Sequence, residues 1–409
     1  MGRATVKIIS RWVEWIIMLA PLVGYSQSTS AASGDLVFGM SSALTGPAGG
    51  LGINMRDGVL AAFENANHAG GVHGRHLKLI CEDDGYEPSQ TVHIVRRLIE
   101  KENVLALIGN VGTPTAVVTL PILTEDHTLL FAPFTGAGIL RLQPPNRYVI
   151  NYRASYKEEI TQMIDALIEK AGLKLDEIAF FTQRDSYGDA GFKAGLAALE
   201  KHGLKNSSSI LHVRYERNTL AVENALADMI LAKTEPKAVI MVGSYAPCAK
   251  FIQLSGKNGF HPLFLNVSFV GSELLEKSLA KTNERVIVTQ VVPFPTDTSI
   301  PLIKEYLRDL KQVDAKCEPT FGSLEGYIAG KILIRALTRI ESAPTRENLI
   351  DALLGLSNFD IGLGTQLHLS ASEHQASHQI WVTILKNGKC IPYSWTALPQ
   401  TLNQKSLKP

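Results

Sequence analysis

Leu36-Val-Phe-Gly-Met40, then Thr45-Gly-Pro-Ala-Gly-Gly50, then Met55, Val59, Phe63 and Ala66 at helical spacing decide the fold. A short apolar run, a glycine-rich turn and an apolar helix face make one strand–turn–helix unit. The unit repeats downstream. Leu77, Leu79 and Cys81 alternate along a strand, and Val92, Val95, Leu98 and Ile99 mark the next helix. Val104 to Ile108 and Leu129 to Ala132 are short apolar runs suited to strands buried on both faces. Between them, residues 115–126 read as a helix with an irregularity at Pro121. Such a βαβα series predicts a parallel sheet with helices on both sides.

The pattern then restarts. Residues 148–153 read as an extended crossing segment. Strands are expected at 178–181, 210–213, 238–242, 263–266 and 286–291, with helices at 158–171, 188–202, 220–233 and 247–258 and a short one near 272–279. From Asp297 to about Leu354 the chain reads as mainly helical, and Asn387-Gly388 signals a closing hairpin. The fold class is therefore α/β, with two doubly wound parallel-sheet lobes.

Outward from this core, the N-terminus has the order of a secretory leader. Arg3, Lys7 and Arg11 precede an apolar stretch from Trp12 to Tyr25, and small and polar residues follow to Ser33. We expect a signal peptide over residues 1–32, cleaved after Ala32, and hence an exported protein. No later stretch has 18 uninterrupted apolar residues. The polar tail, 398–409, is expected to be disordered.

Composition narrows the function classes. The 409 residues are 45% hydrophobic with a net charge of +1, which speaks against a nucleic-acid partner. Cys81, Cys248, Cys317 and Cys390 have no metal-binding spacing and fit either disulfides or buried thiols. His68, His73 and His76 share a glycine-rich stretch that reads as a surface turn rather than a metal site. Glu82, Asp83 and Asp84 read as solvated or capping carboxylates at a strand end. No nucleotide-binding, nucleophile-elbow or zinc-protease motif occurs, so no catalytic residue, metal or cofactor is expected.

Ligands of open parallel sheets bind beyond the carboxyl ends of the strands. Six such loops are rich in Gly, Ser and Thr with single aromatics. They follow the strands at Ser41–Pro47 (with Ser42), Gly109–Thr115, Pro133–Gly138, Gln183–Gly188, Gly243–Tyr245 and Asn266–Phe269. Several run into helix N-termini, whose free N–H groups suit a carboxylate or other anion. Tyr187 and Tyr245 are placed to close over a ligand.

Leu44-Thr-Gly-Pro47, Asn67-His-Ala-Gly-Gly-Val72 with Gly74-Arg-His-Leu77, Asp83-Asp84, Ile108-Gly109, Tyr187-Gly188 and Ser323-Leu-Glu-Gly-Tyr327 occur in a telling order. Across nearly its whole length after the leader, the chain resembles the periplasmic branched-chain amino acid (leucine/isoleucine/valine) binding proteins. The resemblance implies a type I periplasmic binding protein fold. Lobe 1 would comprise 35–150 plus about 295–365, and lobe 2 would comprise 151–292 plus about 375–397, joined by three hinge crossings. It implies a periplasmic, monomeric, non-enzymatic receptor for a small amino-acid-like or organic-acid ligand. The partner would be an ABC permease or, in the alternative reading, a chemoreceptor or sensor kinase that recognises the closed form.

The resemblance also carries site roles. Val111, Gly112 and Thr113, with Phe134, Thr135 and Gly136, match the loops that hold a ligand carboxylate, and Thr113 and Thr135 match the hydroxyl carriers. Tyr245 and Tyr187 match cleft aromatics. In the sixth loop, where α-amino-acid binders place a carboxylate for the ligand ammonium, this chain has Ser268. Without that partner a buried ammonium is costly. Either Asp185 supplies the charge, or the ligand lacks a free α-ammonium.

Overall fold

The computed structural model describes residues 34–279 and 283–403, together with the first two residues. The expected leader at 1–32 falls almost wholly outside them, as do residues 404–409 of the expected tail.

The first sheet is built from β1 (Leu36–Ser42), β2 (Leu77–Asp83), β3 (Ala106–Ile108), β4 (Leu129–Phe131) and β5 (Val149–Ile150), all parallel, in the order β2-β1-β3-β4-β5. Register sets Phe38 between Leu79 and Ala106. β3 and β4 are three residues each and fully buried, as apolar runs between two helix layers must be. One layer holds α1 (Gly49–His68); the other holds α2 (Pro88–Glu100) and α3 (Thr113–Glu125). Helix α3 runs on through Pro121, where an irregularity was expected.

The second sheet follows a hinge segment and α4 (Tyr156–Asp165), which ends in a π-type turn over 166–170. Its parallel strands are β6 (Ile178–Gln183), β7 (His212–Tyr215), β8 (Ala238–Val242), β9 (Leu263–Asn266) and β10 (Val286–Gln290). Helices α5 (Ser186–Lys201), α6 (Glu223–Ile230), α7 (Tyr245–Lys257) and α8 (Ser272–Leu279) connect them. Alternate residues face opposite cores: Phe180 and Ile240 pack into the larger core, Phe181 and Met241 into the other.

The chain then returns to the first sheet. Helices α9 (Pro301–Val313), α10 (Phe321–Leu337) and α11 (Arg346–Leu354) follow, and α10 lies along α1. The two approach so closely that a Cβ on Gly58 would sit 1.9 Å from the Ser323 carbonyl oxygen. A two-stranded ribbon of β11 (Ser357–Phe359) and β12 (Leu367–Leu369) leads back to the second sheet. There β13 (Trp381–Lys386) and β14 (Lys389–Pro392) add an antiparallel hairpin. Asn387 and Gly388 both have positive φ, as its two-residue turn requires. Residues 398–403, expected in a disordered tail, instead form α12 (Leu398–Asn403). Leu398 is buried there and Arg285 Nη1 donates to the Thr401 and Leu402 carbonyls.

Three segments cross between the sheets: 151–155, 291–300 and 370–380. The first and third pair through backbone bonds at Asn151 and Tyr152, and the Tyr152 hydroxyl donates to the Val291 carbonyl of the second. Among the described residues no helix is long and apolar enough to cross a membrane. All four cysteines are free thiols.

Candidate functional site: the cleft between the lobes

Strand order reverses beside β1 in one sheet and beside β6 in the other, and loops at such switch points open into a crevice. In lobe 1, the ends of β3 and β4 are tied together. Phe134 N donates to the Asn110 carbonyl (2.9 Å) and Gly112 N to the Phe134 carbonyl (3.3 Å). Gly112 has φ +108° and ψ 153°, a conformation that favours glycine, and a Cβ there would lie 2.2 Å from the Tyr86 ring. The chain then enters α3 at Thr113, at the positive end of the helix dipole.

Thr113 and Thr135 are both buried, their hydroxyls 2.6 Å apart. Thr135 Oγ1 also lies 3.3 Å from the Tyr156 hydroxyl and accepts from Ala137 N (3.3 Å), and either threonine hydroxyl can be the donor within the pair. Gly136 packs against Tyr156, and Val111 bridges to Phe134. Ser42, at the end of β1, is buried with no hydrogen-bond partner for its hydroxyl. The neighbouring acids hold loops: Asp84 accepts from Ser41, Thr91 and Tyr86 N, and Asp83 from Leu44 N, Thr45 and Gly85 N.

The hinge contributes a charge cluster absent from the expected site. Arg153 is fully buried, with its Nε 3.1 Å from Glu325 Oε1 of α10 and its guanidinium 4.4 Å from the Phe134 ring centre. Arg153 Nη2 donates to Ser268 Oγ (2.8 Å). Ser268 in turn donates to Glu159 of α4 through its backbone N (2.7 Å) and its hydroxyl (3.0 Å), and Thr289 donates to the same carboxylate. Nε and Nη1 of Arg153 and Oε1 of Glu325 make no aligned hydrogen bond. Burial pushes Glu325 up to about 7 against the pull of Arg153. Burial also raises Glu159, opposed by Arg153 and by the donors from Thr289 and Ser268. The sixth loop thus lacks a carboxylate of its own, but α4 supplies one to the Ser268 position.

In lobe 2, Asp185 is the N-cap of α5 and accepts from Tyr187 N (3.0 Å) and Gln183 Nε2 (2.7 Å). It also pairs with Arg217 at 3.3 Å, so its charge is already committed. Arg217 reaches Glu87 of lobe 1 (2.8 Å), and Asn218 Nδ2 donates to Glu87 and to the Gly85 carbonyl. Tyr187 is buried, its hydroxyl donating to the Gly243 carbonyl (3.3 Å). Tyr245 is half-buried at the seam, accepting from Gly50 N of α1 at 3.4 Å. Glu273 of α8 crosses to accept from Phe321 N at the start of α10 (2.9 Å).

The space enclosed by Phe134, Arg153, Ser268 and Glu325 measures only about 10 Å³. A larger groove of about 730 Å³ lies on the hinge side, lined by Arg141, Glu158, Lys170 and His378 among others. Its walls mix apolar, polar and charged chains, with Lys157, Glu169, Lys170 and Lys201 exposed, whereas the cleft gathers buried polar groups between the lobes, which makes the smaller space the candidate ligand site. Beside that groove, Asp165, Glu169 and His202 are the group among the described residues that could surround an ion, and His202 already pairs with Asp165 at 2.7 Å.

Two doubly wound lobes, three crossings and a polar cleft define a bilobed solute receptor. Residues 36–389 match the family described as periplasmic binding protein, and the chain belongs to that family of binding proteins, which are not enzymes. It is similar to a Leu/Ile/Val-binding protein homolog of Brucella abortus, 26% identical over 325 residues, covering 76% of this chain and 78% of the relative. A solved structure of a possible leucine/isoleucine/valine-binding protein from Rhodopirellula baltica is 47% identical, with a TM-score of 0.86 over 90% of this chain and 98% of that one. The LivJ protein of Streptococcus pneumoniae, solved with isoleucine, shares the fold at 15% identity and a TM-score of 0.72, over 87% of this chain and 97% of that one.

Proposed function

We propose that this protein is an exported solute-binding component that captures a small amino-acid-like or organic-acid ligand between its lobes and delivers it to an ABC importer. The leader-like N-terminus and the family support export to the periplasm. The observation that carries the ligand reading is the buried Thr113–Thr135 hydroxyl pair at the start of α3. A ligand carboxylate there would take hydroxyl and amide donors at the positive end of a helix. In this reading Ser42, Gly136 and Val111 would meet the ligand from lobe 1, and Tyr187, Tyr245 and Ser268 from lobe 2. Contacts with both lobes would favour the closed form, which is what a permease can recognise.

The charge arrangement reopens the question of the ammonium. Ser268 is no carboxylate and Asp185 is occupied, but Glu325 faces the same space with one oxygen lacking an aligned donor. Burial raises both Glu159 and Glu325 beside Arg153, and a ligand ammonium near Glu325 would favour its ionised form. Glu325 thus keeps an α-amino acid among the ligands this reading admits, beside a simple carboxylate.

A thermal-shift screen of amino acids, aromatic and aliphatic acids, amides and short dicarboxylates tests this reading. A binder should raise the melting midpoint in a concentration-dependent way. Thr113→Val and Tyr245→Ala should abolish that rise while leaving the unliganded midpoint in place. Binding unchanged in both variants would place the site elsewhere.

A further inference from the structure

On the hinge side of the molecule, one carboxylate gathers two of the three crossings. Glu158 stands in the first turn of α4, and its Oε2 accepts from the backbone N and the hydroxyl of Ser155, both at 2.6 Å, closing a capping box at the end of the first crossing. The same oxygen accepts from Gln375 Nε2 of the third crossing (3.0 Å). Its other oxygen, Oε1, lies 2.6 Å from Nδ1 of His378, also in the third crossing. Gln375 Oε1 in turn accepts from Arg141 Nε of lobe 1 (2.6 Å). Lobe 1, both crossings and the first helix of lobe 2 thus meet in a single network.

Burial would raise the Glu158 carboxyl, but the donors from His378, Ser155 and Gln375 outweigh it and hold it down at about 2. An ionised carboxylate only accepts, so Nδ1 of His378 carries the proton of their shared bond. Gln375 Nε2, 2.8 Å from the same ring nitrogen, spends its protons on Glu158 and the Ser377 carbonyl (3.1 Å). That leaves Nε2 of the ring as the position that gains or loses a proton, and it faces Glu373 Oε2 at 3.9 Å. Among the described residues, the ion pairs of His378 are with Glu158 and Glu373. Arg141 is the opposing positive charge, and Lys157, Asp165, Glu169, Lys170 and Lys201 line the same groove. His374, in the same crossing, is buried and bonded to the Val149 carbonyl (2.9 Å).

We propose that this network is a pH-sensitive hinge clamp: protonated His378 ties the third crossing to Glu158 and so to the first, and loss of its charge loosens the hinge. Glu158 stays ionised across the neutral range, so the histidine is the switching member of the pair. When Nε2 loses its proton, a bond between cation and carboxylate becomes the weaker bond of a neutral donor. The Glu158 bond holds His378 above its ordinary 6.5. A raised histidine contributes fully below about pH 6.5, and the contribution is lost as pH rises through its higher value in the clamp. The ring is more than half exposed, so the effect is modest. The clamp acts on the hinge and applies to whatever ligand the lobes take.

Amide hydrogen exchange at about pH 5.5 and about pH 8.5, corrected for the intrinsic effect of pH, tests the clamp. Segments 151–158 and 374–380 should be about two- to fivefold better protected at the lower pH. His378→Gln should remove that dependence, while contributions from Glu273 and Glu325, whose carboxyls titrate in the same range, persist in both proteins. A histidine-ring NMR titration gives an independent readout. His378 should titrate above 6.5, and Glu158→Gln, whose side chain can still cap α4, should lower it toward the ordinary value. Equal pH dependence in wild type and His378→Gln overturns the inference. So does a wild-type His378 that titrates at or below 6.5, a measurement that stands whether or not either variant folds.

Discussion

Arg153 lies between two buried carboxylates, and removing it strands both. Arg153→Met should cost about 3–5 kcal/mol in a urea unfolding experiment, far more than Arg96→Met, whose partners Glu100 and Glu125 are exposed. Equal costs would mean that the cluster is not held together by this guanidinium. Glu273 gives a second residue-level test, in pH. Burial pushes its carboxyl from the ordinary 4.5 up to about 7, against the Phe321 amide. A raised carboxyl contributes stability that is full below about pH 4.5 and is lost as pH rises through about 7. His212, held down at about 4 by burial and Arg214, acts in the opposite sense from about pH 4 to 6.5, so wild type must be compared with a variant. Relative to wild type, Glu273→Gln should gain stability between pH 5 and pH 8; a pH-independent difference would contradict the shifted carboxyl. Little of this was legible in the sequence. Thr113, Thr135 and Ser268 stand in recognisable loops, but Arg153, Glu159 and Glu325 lie in a crossing segment and on two helices. Their shared burial follows from how three distant segments meet, which no local spacing encodes. Asp185 shows the converse: a carboxylate in a cleft loop whose charge its own helix and Arg217 already use.

Helices α1 and α10 are the elements whose contact locks the returning chain onto lobe 1. Gly58 faces the Ser323 carbonyl, and a Cβ on Gly326 would lie 2.3 Å from the Met55 carbonyl oxygen. Gly58→Ala should therefore force the helices apart and destabilise by about 1–3 kcal/mol. Gly138→Ala, with no atom within 4 Å of the added Cβ, should change the melting midpoint little. Similar midpoints in both variants would show that this contact yields without cost. At this scale the sequence was most informative. Strand–helix alternation, the apolar runs at β3 and β4 and the Asn387-Gly388 turn are local signals, and each produced its element. Helix limits were less legible: α6 is shorter than its apolar pattern suggested, and α3 starts at Thr113, two residues before the expected residue 115. Residues 398–403 read as a polar tail because Arg285, which holds the Thr401 and Leu402 carbonyls, belongs to a distant element, while Tyr393 reaches Thr401 from only a few residues upstream.

For the molecule as a whole, the seam between lobes combines Glu87 with Arg217 and Asn218, Gly50 with Tyr245, and Glu273 with Phe321. Each partner lies on a different lobe, so together these contacts report closure, and a ligand seated among the six loops should tighten them. Hydrogen–deuterium exchange with and without a ligand found by the thermal screen measures this directly. Ligand capture between the lobes should protect both at once, over 110–113 and 134–136 on one side and 243–245 and 266–269 on the other. Protection confined to the hinge-side groove around Arg141, Lys170 and His378, with the six loops unchanged, would contradict it.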